Sequence, residues 1–111
     1  MNITREQISL LINLDRKAQY ELYKECFGYM MSISLRYQKD HQAAEDVVNR
    51  AYLKLLKYIL TFDMSKPFKP WMARITVNEN IDACRKSQKL RSIINYDSEV
   101  VNADRNLNHF V

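Results

Sequence analysis

Cationic and aromatic side chains are concentrated between residues 62 and 91. Residues 66–91 contain seven basic residues and two acidic ones, a net charge of +5 compared with +4 for the whole chain. Cationic side chains neutralise phosphates, and aromatic rings stack on unpaired bases. The combination indicates single-stranded nucleic acid as a partner more than a duplex groove. The aromatic residues are Phe62, Phe68 and Trp71, and the basic ones are Lys66, Lys69, Arg74, Arg85, Lys86, Lys89 and Arg91.

Several of these residues also have a purely structural interpretation. Trp71 lies on an apolar stripe with Met72 and Ile75, where a tryptophan is more often part of the core. Exposed lysines usually form a solvated face. Asn78 on the stripe side would have to find partners for a buried amide, but an amide also fits the donor and acceptor edge of a base. The residues alone leave open whether this stretch serves folding or nucleic-acid binding.

Other kinds of chemistry have little support in the sequence. A single glycine excludes a Gly-rich phosphate loop, and no serine has an obvious base partner. His41 and His109 have no second His or Cys at the spacing of metal ligands. The adjacent carboxylates Glu45 and Asp46 are typical of a solvated helix turn. We therefore expect no enzymatic activity, no metal and no cofactor.

The cysteines and the hydropathy pattern indicate a cellular compartment. Cys26 and Cys84 are far apart and outside any CxxC motif, which favours two buried free thiols in a reducing cytosol over a disulfide. The N-terminus lacks a basic segment followed by a long apolar run, and no stretch of 18 apolar residues exists. These features predict a cytoplasmic protein without a signal peptide or membrane insertion.

Composition and capping signals predict an all-α fold, a compact bundle of three to four helices. One glycine and two prolines are too few for the many tight turns of a sheet-rich domain. After Arg91 the helical pattern fades, so residues 91–111 are predicted to be a linker or tail. The predicted helices are a short one after Thr4, with Gln7 at capping-box spacing, a long one from Asp15 to about Gln38, a third after Asp40 over about residues 41–60, and a fourth with Pro70 in its first turn.

The order of motifs along the chain resembles region 2 of the extracytoplasmic-function (ECF) sigma factors of bacterial RNA polymerase. The matching stretches are AEDVV at 44–48, FD at 62–63, PFKPWMARITVN at 67–78, and DACRK at 82–86. The upstream helix YELYKECFGYMMSISLRY at 20–37 is also similar to that family's. The resemblance covers about residues 5–90, and its specificity lies in the order and spacing of motifs that are individually weak.

This resemblance implies promoter −10 recognition and DNA melting as part of an alternative sigma factor. The implied partners are core RNA polymerase, through its β′ clamp helices, and promoter DNA, especially the single-stranded non-template strand of the −10 element. An anti-sigma factor is a further partner that the family allows. Residues 1–90 would form the region 2 domain, and residues 91–111 would lead towards a helix-turn-helix domain absent from this sequence, which is then expected to be a truncated piece.

Two sets of site residues follow from the resemblance. The loop over residues 61–67 and the start of the fourth helix would capture a flipped base, with Phe62 and Asn78 at the pocket positions. The implied DNA-binding residues are Phe62, Ser65, Lys66, Phe68, Lys69, Trp71, Arg74, Asn78, Arg85 and Lys86. The implied polymerase-binding residues, hereafter the docking face, are Asp46, Asn49, Arg50 and Leu53.

The sequence departs from the family pattern at Asn49 and Arg50, where members usually have Gln-Glu or Gln-Asp. An acidic contact to the clamp has therefore become basic. Two alternatives to promoter recognition remain. One is a sigma-like interaction module that binds polymerase or an anti-sigma factor without opening promoters. The other is a general single-strand-binding protein.

Overall fold

The computed structural model of the protein describes the backbone of residues 2–101 and the side chains of residues 2–94. That part of the chain is an all-α bundle without strands, as predicted. Its elements are α1 over Arg5–Ile12, α2 over Arg16–Ser34, α3 over His41–Tyr58, a 3-10 helix over Ile59–Thr61, and α4 over Phe68–Val101.

The first three helices begin at the predicted capping residues. The Thr4 hydroxyl accepts a hydrogen bond from the Gln7 amide at 3.1 Å, and the Gln7 side chain accepts one from the Thr4 amide at 2.8 Å. The carboxylates of Asp15 and Asp40 each accept from the amide three residues further on, both at 2.8 Å. Each capping side chain binds a backbone N–H group that has no partner within the helix. The first residues of these helices are therefore determined by the local sequence.

The helix ends differ more from the prediction. Helix α2 ends at Ser34 instead of near Gln38, because residues 35–37 form a turn from which the Gln38 side chain reaches α4. Helix α4 continues past Arg91 to Val101. No glycine or proline follows Pro70 to stop it. The remainder of the predicted tail, residues 102–111, lies outside the described residues.

The core lies between α2, α3 and α4, with α1 packed against α2 and the 3-10 helix. Helices α2 and α4 run in the same direction, since Tyr29 lies beside Lys69 and, further along both helices, Ser34 lies beside Asn80. Helix α3 runs in the opposite direction. The largest fully buried apolar side chains belong to Phe68, Met30, Leu55, Met72, Val47 and Val48.

Cys26 and Cys84 form no disulfide, as predicted, although Cys84 is only partly buried. Burial raises the pKa of the Cys26 thiol to about 12, so that it stays protonated at neutral pH. Within residues 2–101, none of the helices combines the length and the apolar character that a membrane span requires.

Candidate nucleic-acid interface and docking face

The loop between the 3-10 helix and α4 is held by its own side chains. The Asp63 carboxylate accepts a hydrogen bond from the Ser65 hydroxyl at 2.6 Å and from the Ser65 amide at 2.9 Å. These two bonds, the hydroxyl one first, lower the pKa of Asp63. The Lys66 amide donates to the Asp63 carbonyl at 3.0 Å. Ser65, a predicted DNA contact, therefore shapes the loop in this structure.

Three aromatic residues at the two ends of this loop form a cluster. The ring centroids of Phe62 and Phe68 are 5.3 Å apart in an edge-to-face arrangement, and the Trp71 ring lies 5.0 Å from Phe62 and 5.6 Å from Phe68. Phe62 is 8% exposed and Phe68 is 1% exposed. Neither phenylalanine offers a free ring face to a base in this conformation, because both join the core that anchors the loop. Trp71 is only partly buried.

A cavity of about 360 Å³ opens beside the aromatic cluster. Phe62 and Trp71 contribute apolar surface to it, Lys66 and Arg74 contribute cations, and Asp63 contributes a carboxylate. Aromatic surface for stacking, next to cations for a phosphate, suits an unstacked nucleotide. The complete lining consists of Thr61, Phe62, Asp63, Lys66, Pro67, Pro70, Trp71 and Arg74.

Only some of the predicted cations on α4 share one face. Arg74, Asn78 and Arg85 are exposed and lie within about 40° of one another around the helix, along roughly 16 Å of its axis. We call these three residues the α4 face. Lys69 instead places its ammonium 4.5 Å over the Tyr29 ring, and Lys86 lines a cleft between α3 and α4. The other predicted cation of this region, Lys66, lies at the cavity.

The buried amide of α4 belongs to Asn80, not to Asn78. The Asn80 Nδ2 donates to the Ser34 hydroxyl at 2.8 Å and to the Thr76 carbonyl at 2.9 Å. Its Oδ1 accepts from the Gln38 side chain at 2.9 Å. The prediction that Asn78 lies on the stripe side is therefore wrong, because steps of four residues from Met72 lead through Thr76 to Asn80. That periodicity was the sequence signal for this residue.

The structure brings the four residues of the docking face together on the exposed side of α3. The side chains of Asp46, Asn49, Arg50 and Leu53 are all exposed on successive turns. The Tyr23 hydroxyl donates to the Asn49 Oδ1 at 2.7 Å, which fixes the amide of Asn49 with its donor group free to point elsewhere. Tyr23 was not predicted, because nothing local in the sequence links residues 23 and 49.

Glu79 joins α4 to the edge of the docking face. Its carboxylate, on a largely buried side chain, lies 3.4 Å from the Arg50 Nε and 2.6 Å from the Lys54 Nζ. The hydrogen bond from Lys54 to Glu79 raises the pKa of Lys54. The sequence identifies Glu79 only as an acidic residue in a basic segment. Among the described residues, no group of three or more His, Cys, Asp or Glu side chains is placed to hold a metal ion.

A match to a protein-family model contains the loop, the α4 face and the docking face. The family model of sigma-70 region 2 matches residues 22–90, which include most of α2, all of α3, the loop and most of α4. The chain belongs to the sigma-70 family. Region 2 of this family binds RNA polymerase and recognises the −10 element. All the predicted DNA-binding and polymerase-binding residues lie within the matched span. No curated protein and no solved structure matches the chain.

Proposed function

We propose that this chain is the promoter-reading region of an ECF-type alternative sigma factor, acting in the cytoplasm with core RNA polymerase. In this proposal the docking face binds the β′ clamp helices, while the loop and the α4 face bind the non-template strand of the −10 element. The observation that supports it best is the position of the α4 face, which begins at the cavity beside Phe62 and Trp71.

The proposed mechanism needs binding and no catalysis. Polymerase holds the domain at the promoter, transient opening exposes a base, and the cavity captures that base, which favours the open state. Extruding a base costs a few kcal/mol. Stacking on the exposed part of Trp71, a hydrogen bond from Asn78 to the base edge, and phosphate contacts from Lys66 and Arg74 would offset that cost.

Two substitutions on the α4 face test whether it reads sequence. We expect Asn78→Ala to reduce discrimination at one −10 position by about tenfold, the effect of losing one amide–base contact. Arg74→Ala should instead weaken binding of every sequence and flatten the salt dependence, because it removes a phosphate contact. The measurement is the affinity of the complex with core polymerase for single-stranded −10 oligonucleotides in which each base is varied.

A control variant and a contradicting outcome complete this test. Ser87→Ala changes an exposed residue on another side of α4 and should leave both affinity and discrimination unchanged. An equal loss of affinity for every sequence with Asn78→Ala would exclude its role at a base. Failure of the folded protein to bind core polymerase at all would overturn the proposed function itself.

The burial of Phe62 and Phe68 favours a second candidate, the interaction module that binds polymerase without opening promoters. Two of the three predicted stacking residues are occupied by the core in this structure. A fluorescence measurement distinguishes the two functions. Its probe is 2-aminopurine placed in the non-template strand of a duplex −10 fragment. An increase when the polymerase complex binds supports promoter opening, whereas polymerase binding without any increase supports the interaction module.

A further inference from the structure

The exposed stripe of α3 does not end at the docking face. Leu53 is 67% exposed, Leu60 in the following 3-10 helix is 69% exposed, and Lys57 lies between them on the same side. The helical period places residues 53, 57 and 60 in line with Asp46 and Arg50. The stripe from residue 46 to residue 60 is about 21 Å long, which equals four turns of a partner helix.

Folding alone explains only part of this stripe. A single exposed leucine is ordinary, and a lysine near the end of α3 interacts favourably with the helix dipole. Two strongly exposed leucines seven residues apart have no such explanation. Seven residues is the spacing at which one helix repeats its contact with another along a common seam. The spacing of the two leucines therefore suits contact with a second helix.

Charge indicates what kind of helix would cover it. Residues 50–60 contain Arg50, Lys54 and Lys57 and no acidic residue. Glu79 already binds Arg50 and Lys54. Lys57 pairs with no carboxylate in the described part of the chain, and its ammonium lies 5.4 Å over the exposed Tyr58 ring. A carboxylate on the partner would form an ion pair with Lys57.

We infer that the docking face extends through Lys57 to Leu60, and that its partner is an amphipathic helix with apolar residues over both leucines and a carboxylate at Lys57. This inference rests on the proposed function, because it describes the polymerase helix that the docking face would bind. Protein is favoured over nucleic acid because the leucines have no complement on a phosphate backbone.

The test measures the affinity of the chain for core RNA polymerase. We expect Leu60→Ser to weaken binding by about tenfold, as for a side chain that is covered at an interface. Lys57→Gln should weaken it less than Lys57→Glu, and the loss for Lys57→Glu should shrink at high salt, because a like charge then faces the partner's carboxylate.

Matched controls are available in the groove between α1 and α2. Leu10→Ser and Lys17→Glu make the same chemical changes at exposed positions there and should leave the affinity for polymerase unchanged. Circular dichroism and thermal unfolding of each variant establish that loss of binding does not reflect unfolding.

The possible outcomes separate this inference from the proposed function. If the wild-type chain does not bind polymerase, the proposed function is wrong. If it binds, and the Leu60 and Lys57 variants bind equally well, only the extension of the docking face is overturned. Tighter binding by Lys57→Glu would show a basic partner and overturn it as well. The inference would also be overturned if the Lys57 variants bound polymerase normally and lost only the affinity of the polymerase complex for −10 oligonucleotides. That result would indicate that Lys57 contacts DNA.

Discussion

Helix α4 packs against its two neighbours through polar contacts of opposite character. On the α2 side, the neutral amide of Asn80 is fully buried and makes three hydrogen bonds. On the α3 side, the Glu79 carboxylate binds Arg50 and Lys54, whose side chains are both about half exposed. Residues 79 and 80 are adjacent in sequence, and the 100° step between them directs them to different helices.

The difference predicts where the bundle resists change. A buried polar group that loses its partner has no water to replace it, and this costs about 1–3 kcal/mol for each orphaned group. A half-exposed cation that loses its carboxylate is solvated again, and such pairs contribute at most about 1 kcal/mol. Loss of the α2–α4 contact should therefore destabilise the bundle strongly, whereas loss of the α3–α4 contact should destabilise it only slightly.

The largest effect is expected for Asn80→Ala. The substitution deprives Ser34 and Gln38 of their partner and leaves a small cavity, so the free energy of unfolding should fall by about 2–4 kcal/mol. Urea unfolding measures the change. Asn78→Ala, the same substitution two residues away at an exposed position, should change it by less than about 0.5 kcal/mol. Similar losses for both asparagines would refute the assignment of the buried amide to Asn80.

A smaller effect is expected for Glu79→Gln. The glutamine amide keeps hydrogen-bonding capacity at this largely buried position but removes the charge that attracts Arg50 and Lys54. The free energy of unfolding should fall by about 1 kcal/mol at low salt, and the difference from wild type should narrow in 1 M salt. A loss that does not depend on salt would mean that packing at Glu79 matters more than its charge.

The smallest effect concerns pH. The pKa of Lys54 is raised in the folded protein, so the contribution of Lys54 is complete below its ordinary pKa of 10.5 and is lost as pH rises through the folded value. The stability difference between wild type and Lys54→Gln, measured by chemical unfolding, should therefore be constant below pH 10.5 and shrink as the pH rises above it.

A background effect of alkaline pH is expected in both proteins, since burial also raises the pKa of Tyr52. The readout is therefore the difference between the two proteins, from which this shared loss of stability cancels. The deficit of Asn80→Ala, which involves no titrating group, should stay constant over the same range. A deficit of Lys54→Gln that is equally constant would contradict the role of the Glu79 pair.

The predictability of these features follows from the range of the interactions that produce them. The caps at Thr4, Asp15 and Asp40 depend on residues three positions away, and the sequence was sufficient to locate them. The partners of Asn80 are 46 and 42 residues away in sequence, and no local pattern indicates them. Long-range pairing is decided by how the helices pack.

The site was predictable to a similar extent. Motif order indicated the loop and a set of α3 residues that the structure places together on one exposed side. It did not distinguish the buried rings of Phe62 and Phe68 from the partly buried ring of Trp71. Phe62 and Phe68 combine with Trp71 into one cluster because the chain returns on itself across the loop. Helix α4 continues past its predicted end because no glycine or proline follows Pro70 to stop it.

The length of α4 has a mechanical consequence. Its 34 residues span about 51 Å in a molecule that measures 63 × 24 × 23 Å. Lys86 is the last residue of α4 that lines the α3–α4 cleft. From there to Val101 the helix extends for a further distance of about 22 Å, or roughly four turns. A tilt of 10° at the bundle would move Val101 by about 4 Å. Conversely, a sideways force at residue 101 acts as a torque on the Asn80 hydrogen bonds, so the rod that would bind the promoter strand is also a lever.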